Sequence, residues 1–246
     1  KRYNGLVALS GYELRLAPRS IHGVIGPNGA GKTTLFNLLS GMVRPTTGTI
    51  RLLGSDITEL PAHAVARAGM ARTFQNIRLF GEMSALDNVR VAVQQRLHAG
   101  LGLVLLSAPA FRRREEEITE RARSIIARMG LAGAEERPAA SLPYGDQRRL
   151  EIARAVATDP QVLLLDEPNA GMNPTETAEL LDLIRRLRDD LDLTIILVAH
   201  DIPLVMNLCD RIQVLNYGLL IADGAPAVVR NDPQVITAYL GQASDA

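Results

Sequence analysis

Nine residues from Gly26 to Thr34 read GPNGAGKTT. Glycines at 26, 29 and 31 let successive backbone N–H groups turn inward. The helix expected over Thr33–Ser40, which Gly41 can end, adds the positive end of its dipole at the same place. An apolar strand candidate, Ile21–Ile25, runs into the loop, which is the context a phosphate-binding turn needs and an ordinary Gly-rich turn does not. Lys32 can reach β- and γ-phosphates, and the Thr33 hydroxyl can ligate Mg²⁺. The whole loop (Gly26, Pro27, Asn28, Gly29, Ala30, Gly31, Lys32, Thr33 and Thr34) is therefore expected to cradle a nucleoside triphosphate.

A second set of groups completes such a site. Val162–Glu167 reads VLLLDE, a buried strand ending in two acids. Asp166 is placed to hold the Mg²⁺ through its water shell. Glu167 is placed to orient and deprotonate an attacking water. Two surface acids at a strand end would be the bland alternative, and the phosphate loop argues against it. Another strand candidate, Thr194–Val198, ends at Ala199, His200 and Asp201. Ligands gather at the carboxyl ends of parallel strands, which assigns His200 to the γ-phosphate. Gln75, in ARTFQN, closes a short extended segment; its amide can ligate Mg²⁺ and touch the water without adding a carboxylate charge.

These groups need a scaffold that brings strand ends together. Apolar runs alternate with helical patterns, which predicts an α/β fold around a largely parallel sheet. Strands are expected at Tyr12–Leu16, Ile21–Ile25, Thr49–Leu53, Val162–Asp166, Thr194–Val198, Arg211–Leu215 and Leu219–Ala222. Thr175–Leu191 is expected to be an amphipathic helix with Leu180, Leu181, Ile184, Leu187 and Leu191 on one face, capped by Asn173 with Pro174 in its first turn. Between Met83 and Ala157 the pattern is helical, over Ala85–His98, Arg112–Met129 and Asp146–Ala157. The chain of 246 residues is long enough for a substantial core.

Composition narrows the class. Twenty-seven basic and 27 acidic side chains cancel, and a nucleic-acid partner would call for a basic excess. Cys209 is the one cysteine, so no internal disulfide is expected; its apolar setting reads as core. No signal peptide is expected at the start of the chain. The apolar run Ala99–Phe111 holds thirteen residues with two glycines and a proline, short of the roughly 20 that span a bilayer. Any work at a membrane should therefore be done by docking onto another protein.

Leu142–Ala157 reads LPYGDQRRLEIARAVA and resembles the signature loop and helix of the ABC ATPases. The phosphate loop, the Gln75 segment, VLLLDEP, the AGMN turn at Ala170–Asn173 and the His200 segment complete six motifs in that family's order. The resemblance covers nearly the whole chain. It implies an ABC-ATPase core of the P-loop type with a mixed, largely parallel sheet, an N-terminal antiparallel β portion and an inserted α-helical subdomain. Residues 1–82 and 158–246 would form the nucleotide-binding core, and 83–157 the insert. It further implies ATP and Mg²⁺ as ligands, and a head-to-tail dimer in which Gly145, beside Tyr144, faces the γ-phosphate of the second subunit. Tyr3 matches the aromatic that stacks on adenine, with an ordinary buried or surface tyrosine as the rival reading.

Two motifs depart from the family pattern. Pro143 stands where the signature has serine and Tyr144 where it has the following glycine, and Asn173 stands where an aspartate is usual. Contact across a dimer would then rest on Gly145 and the helix end. ARTFQNIRLFGEMSALDNV, YGDQRRLEIARA, NAGMNPTET and NDPQVITAYLG resemble the ATP-binding subunits of branched-chain amino-acid importers. The insert Gln94–Glu117 fits that subgroup too, although Arg112–Arg114 would ordinarily be a solvated helix start. Ala199 replaces a glutamate often found before the histidine. The resemblance implies integral membrane permease subunits as partners, an extracytoplasmic solute-binding protein beyond them, and a place on the inner face of the cell membrane. A soluble ABC ATPase acting on DNA or ribosomes is the rival; long coiled-coil inserts, tandem ATPase domains or basic surfaces would mark it.

Overall fold

The computed structural model describes residues 1–96 and 108–240. Residues 97 and 98 of the Ala85–His98 helix, most of the Ala99–Phe111 run, residues 97–107 of the Gln94–Glu117 insert, and Gly241 of NDPQVITAYLG lie outside the described residues.

A six-stranded sheet dominates, in the order β10-β9-β3-β8-β7-β6. Its members are β3 (Ile21–Ile25), β6 (Met70–Arg72), β7 (Val162–Asp166), β8 (Thr194–Val198), β9 (Arg211–Asn216) and β10 (Leu219–Gly224). All neighbours are parallel except β9 and β10. β3, β7 and β8 are buried at every position, as expected of strands covered on both faces. Period-2 alternation divides their side chains between two cores. Leu163, Leu165, Ile195 and Leu197 enter the larger core, and Val162, Leu164, Ile196 and Val198 the smaller. Phe36, fully buried on the helix after the phosphate loop, anchors the smaller core; burying such a side chain contributes roughly 1.5–3 kcal/mol.

Two short antiparallel hairpins stand apart, β1 (Arg2–Tyr3) with β2 (Leu6–Val7), and β4 (Arg51–Leu52) with β5 (Ser55–Asp56). The strand expected at Tyr12–Leu16 does not form. Tyr12, Leu14 and Leu16 do turn alternately onto the smaller core, and the Tyr12 hydroxyl bonds Gln213, but no ladder is made. Of Thr49–Leu53 only Arg51 and Leu52 are strand, and they stay outside the main sheet.

The helices are α1 (Lys32–Leu39), α2 (Ala62–Arg67), α3 (Ala85–Arg96), α4 (Ala108–Arg128), α5 (Tyr144–Ala157), α6 (Pro174–Asp190), α7 (Ile202–Leu208), α8 (Pro226–Val229) and α9 (Pro233–Leu240). Between β6 and β7 the described chain is largely helical, and α4 presents Ile118, Ala122, Ile125 and Ile126 inward at helical spacing. α6 carries the expected cap in full: Asn173 accepts from the Glu176 amide, and the Glu176 carboxylate accepts from the Asn173 amide. Its buried face is Leu180, Leu183, Ile184 and Leu187. Leu183 thus takes a place that the sequence pattern had assigned to Leu181 and Leu191, both of which lie at the core's margin. Among the described residues no helix is long and apolar enough to cross a membrane.

Candidate functional site

The phosphate loop is shaped by what lies beneath it. Gly26 has φ +151°, and a Cβ there would stand 2.1 Å from the Leu215 carbonyl oxygen. The β9–β10 hairpin turns through Tyr217 and Gly218, both at positive φ, the geometry of a tight two-residue turn. That turn bonds the loop directly, Gly218 N donating to Ala30 O at 2.9 Å. Gly31 caps α1 in the left-handed region. Lys32 is buried, and its Nζ donates to the carbonyls of Gly26 and Pro27 at 2.5 and 2.9 Å. Burial lowers the Lys32 pKa, while the nearby Glu167 and Asp166 oppose that shift. The ammonium and both acids therefore share one neighbourhood. Asn28, Gly29 and Thr33 are exposed, Gly31 and Thr34 half-buried, Pro27 and Ala30 buried.

Asp166 closes β7 opposite Val198 of β8, and Glu167 follows with φ +47°, a conformation few non-glycine residues adopt. Its amide is held by Val198 O at 2.8 Å. The Glu167 carboxylate accepts from Gln75 Nε2 at 3.0 Å, and His200 Nδ1 lies 3.5 Å from its other oxygen. Three side chains singled out from the sequence thus meet beyond the ends of β6, β7 and β8. Asp201 fixes the turn after His200 by accepting from the Leu204 amide at 3.0 Å, capping α7.

Sequence reasoning missed Arg72. Its guanidinium donates to Asp166 Oδ2 at 2.8 Å, to Asn37 Oδ1 at 2.8 Å and to Ser40 Oγ at 3.1 Å. It lies between the rings of Phe36 and Phe74, 5.4 and 5.1 Å from their centroids. The pair is almost wholly buried, and only its place three residues before Gln75 hinted at a role. Arg148 and Glu151 of α5 were missed as well. Both are buried and paired at 2.7 Å.

α5 begins at Tyr144, two residues before the expected Asp146, with Pro143 as its cap residue. Gly145 is therefore in the first turn, buried, with Glu176 Oε1 3.3 Å from where a Cβ would stand. Tyr144 is exposed, and its ring lies over Gly171 of the AGMN turn. Gly145 thus lies against the first turn of α6, and Tyr144 against the turn before it. Tyr3 sits on the β1–β2 hairpin with the Lys1 ammonium 4.9 Å from its ring centroid, and is 40% exposed.

Among the described residues no group of three or more His, Cys, Asp or Glu could hold a metal unaided. A hydroxyl, an amide and one carboxylate, as offered by Thr33, Gln75 and Asp166, do fit Mg²⁺, which keeps water and substrate phosphates in its shell. Arg72 takes one oxygen of Asp166; a water of the ion needs only the other.

Residues 9–170 match the family described as ABC transporter, and residues 220–245 match the one described as branched-chain amino acid ATP-binding cassette transporter. LivG of Escherichia coli (strain K12), a high-affinity branched-chain amino acid transport ATP-binding protein, is 50% identical over 98% of this chain and 95% of its own length. BraF of Pseudomonas aeruginosa, with the same description, is 48% identical over the same shares. A crystal structure of the ADP conformation of an ATP-binding cassette of an ABC transporter superposes with a TM-score of 0.84 at 28% identity, covering 98% of this chain and 95% of that one. With phosphate loop, acidic strand and sheet topology all accounted for, the chain belongs to the ATP-binding subunits of the ABC transporter family, and it is an ATPase.

Proposed function

We propose that this subunit powers an importer of branched-chain amino acids, or of a related small polar solute, through separate membrane subunits. One observation carries the chemical half of that reading. Glu167, Gln75 and His200 come from three strand ends, far apart in sequence, and meet near the Lys32 ammonium, Gln75 bonded to Glu167 and His200 Nδ1 3.5 Å from it. ATP would lie along Gly26–Thr34 with its β- and γ-phosphates at Lys32 and, in the family's manner, its adenine on Tyr3. Glu167 takes a proton from water as the water oxygen attacks the γ-phosphorus and the bond to ADP breaks. Gln75 holds that water against Glu167, and His200 donates to the γ-phosphate. Thr33, Gln75 and Asp166 would hold Mg²⁺, which supplies charge neutralisation on the phosphates.

The partner half rests on the relatives. A second ATPase subunit would pack head-to-tail, with this chain presenting Gly145 and Tyr144 to the triphosphate that the second subunit binds. Membrane permease subunits would hold the pair on the inner face of the membrane, and a solute-binding protein would deliver cargo on the other side. No role for nucleic acid follows from any of this.

Glu167→Gln tests the reading. The amide keeps the shape and removes the base, so turnover should fall at least 10²-fold while ATP affinity stays within a few-fold. Steady-state hydrolysis and titration calorimetry measure the two. Turnover like the parent's would sink the assignment.

A further inference from the structure

Arg148 lies one turn into α5 and has no solvent exposure. Nη1 donates to Phe74 O at 2.6 Å and to Glu151 Oε2 at 2.7 Å; Nη2 donates to Gln75 O at 2.9 Å and Glu167 O at 3.3 Å. Glu151 closes the ring, its other oxygen accepting from Phe74 N at 3.2 Å. One side chain therefore binds the backbone on which Gln75 stands and the backbone on which Glu167 stands. Those two residues are 92 apart in sequence, and their side chains also bond each other. The same side chain belongs to the helix whose first turn holds Gly145.

Burying a guanidinium and a carboxylate is costly, and well-packed apolar residues often do as well for stability alone. A planar fork with several fixed donors, in contrast, can hold carbonyls from separate segments in one geometry, which a lysine ammonium on a flexible stem cannot. Glu167 also sits in a left-handed backbone conformation, and such a conformation persists only where its surroundings over-determine it.

We propose that Arg148 is a positioning residue that makes the helix carrying Gly145, the Gln75 segment and the Glu167 turn a single mechanical unit, so that engagement of Gly145 by a second subunit's ATP sets the hydrolytic groups of this subunit's own site. The inference rests on the roles given above to Gly145, Gln75 and Glu167. Two ATP sites linked in this way hydrolyse cooperatively, with a Hill coefficient between 1 and the number of sites.

The test uses the full chain with two variants, Arg148→Lys and the double substitution Arg148→Met with Glu151→Gln, the second leaving no lone buried charge. Binding of a non-hydrolysable ATP analogue, melting temperature, kcat and the Hill coefficient of hydrolysis are measured for each. The expected result is analogue affinity within about twofold of the parent, kcat lower by on the order of 10- to 10²-fold, as for small misplacements of catalytic groups, and a Hill coefficient falling to 1. Parental kcat and Hill coefficient in Arg148→Lys would overturn the proposal. So would a parent that hydrolyses without cooperativity, or losses of affinity, melting temperature and kcat in parallel, which mark a staple of the fold. If the double variant does not fold, Arg148→Lys decides alone; if neither folds, Arg148 is such a staple and the proposal fails. Glu167→Gln runs alongside: turnover surviving there defeats the functional reading, whereas an inactive Glu167→Gln beside a parental Arg148→Lys defeats only the coupling.

Discussion

Gly26→Ala should injure this protein out of proportion to one added methyl. The new Cβ would stand 2.1 Å from the Leu215 carbonyl oxygen, where ordinary contact begins near 3.4 Å. Loop or strand must therefore yield by about 1.3 Å, or the backbone must leave φ +151°. Overpacking of a tight site costs roughly 1–3 kcal/mol, and a side chain held in so sparsely populated a region a further ~1–3 kcal/mol. For a chain of this size each kcal/mol moves the melting temperature by roughly 2–4 °C, so a loss on the order of 10 °C is expected. Binding should suffer too, because the Gly26 carbonyl is one of the two acceptors that aim Lys32; affinity for a non-hydrolysable ATP analogue should fall at least tenfold. Gly29→Ala is the control. Its φ is +77°, but nothing lies within 4 Å of the added carbon, so about 1–2 kcal/mol is at stake and the shift should be a few degrees. Thermal unfolding without nucleotide and titration calorimetry read both quantities. Were Gly26→Ala to melt within 2 °C of the parent and bind normally, the contact with Leu215 would not be what shapes the loop.

Lys32→Ala should lose triphosphate affinity by two orders of magnitude or more while the chain stays folded, since it removes a charge-assisted partner of the phosphates; an unchanged dissociation constant in calorimetry would refute the phosphate site. Arg72→Met leaves Asp166 buried without its cation and should cost about 3–5 kcal/mol, most of it recovered in Arg72→Met with Asp166→Asn; denaturant titrations of the two variants and the parent decide. His22 is buried with Nε2 unpartnered, and burial holds its pKa below the ordinary 6.5. The unfolded chain thus takes up the proton first, so His22 costs stability as pH falls below about 6.5 and costs nothing above it. His22→Leu should flatten that part of the stability–pH curve, seen as a smaller fall in melting temperature between pH 7 and pH 5.

The groups legible in the sequence are those whose work is local or follows from strand ends. Glycines, a lysine and two threonines in nine residues announce a phosphate loop by themselves, and Asn173 with Glu176 announces a capping box. Glu167 was placed by the acids that end its strand, Gln75 by its amide at the close of a short extended segment, and His200 by the rule that parallel strands gather ligands at their carboxyl ends, and they do meet. Arg72 was not legible because its partner lies 94 residues away. Arg148 had no visible partner beyond Glu151, for its other acceptors are backbone carbonyls that any residue could supply. Tyr12–Leu16 shows the limit of periodicity: alternation reported which side chains turn inward, and it holds no information on whether a neighbouring strand is available. The start of α5 slipped by two residues because Pro143 is equally suited to the residue just before a helix and to the loop it was assigned to.

The order of strands in the main sheet also constrains how the chain is made. Among the described residues β3, which delivers the phosphate loop, pairs with β8 on one edge and β9 on the other, so both its edges stay bare until residues 194–216 have been synthesised. At roughly 5–20 residues per second the ribosome takes on the order of 10–40 s to cover that distance. During that interval the nascent protein carries a largely apolar strand with open edges, a template for wrong pairing. A nascent chain arrested after Thr34 and before β9 would hold every residue of GPNGAGKTT and still have no Leu215 carbonyl to shape Gly26 and no Gly218 amide to tie Ala30. Nucleotide binding can therefore report on the birth of the protein as well as on its chemistry, appearing only after the last strands of the sheet have left the ribosome.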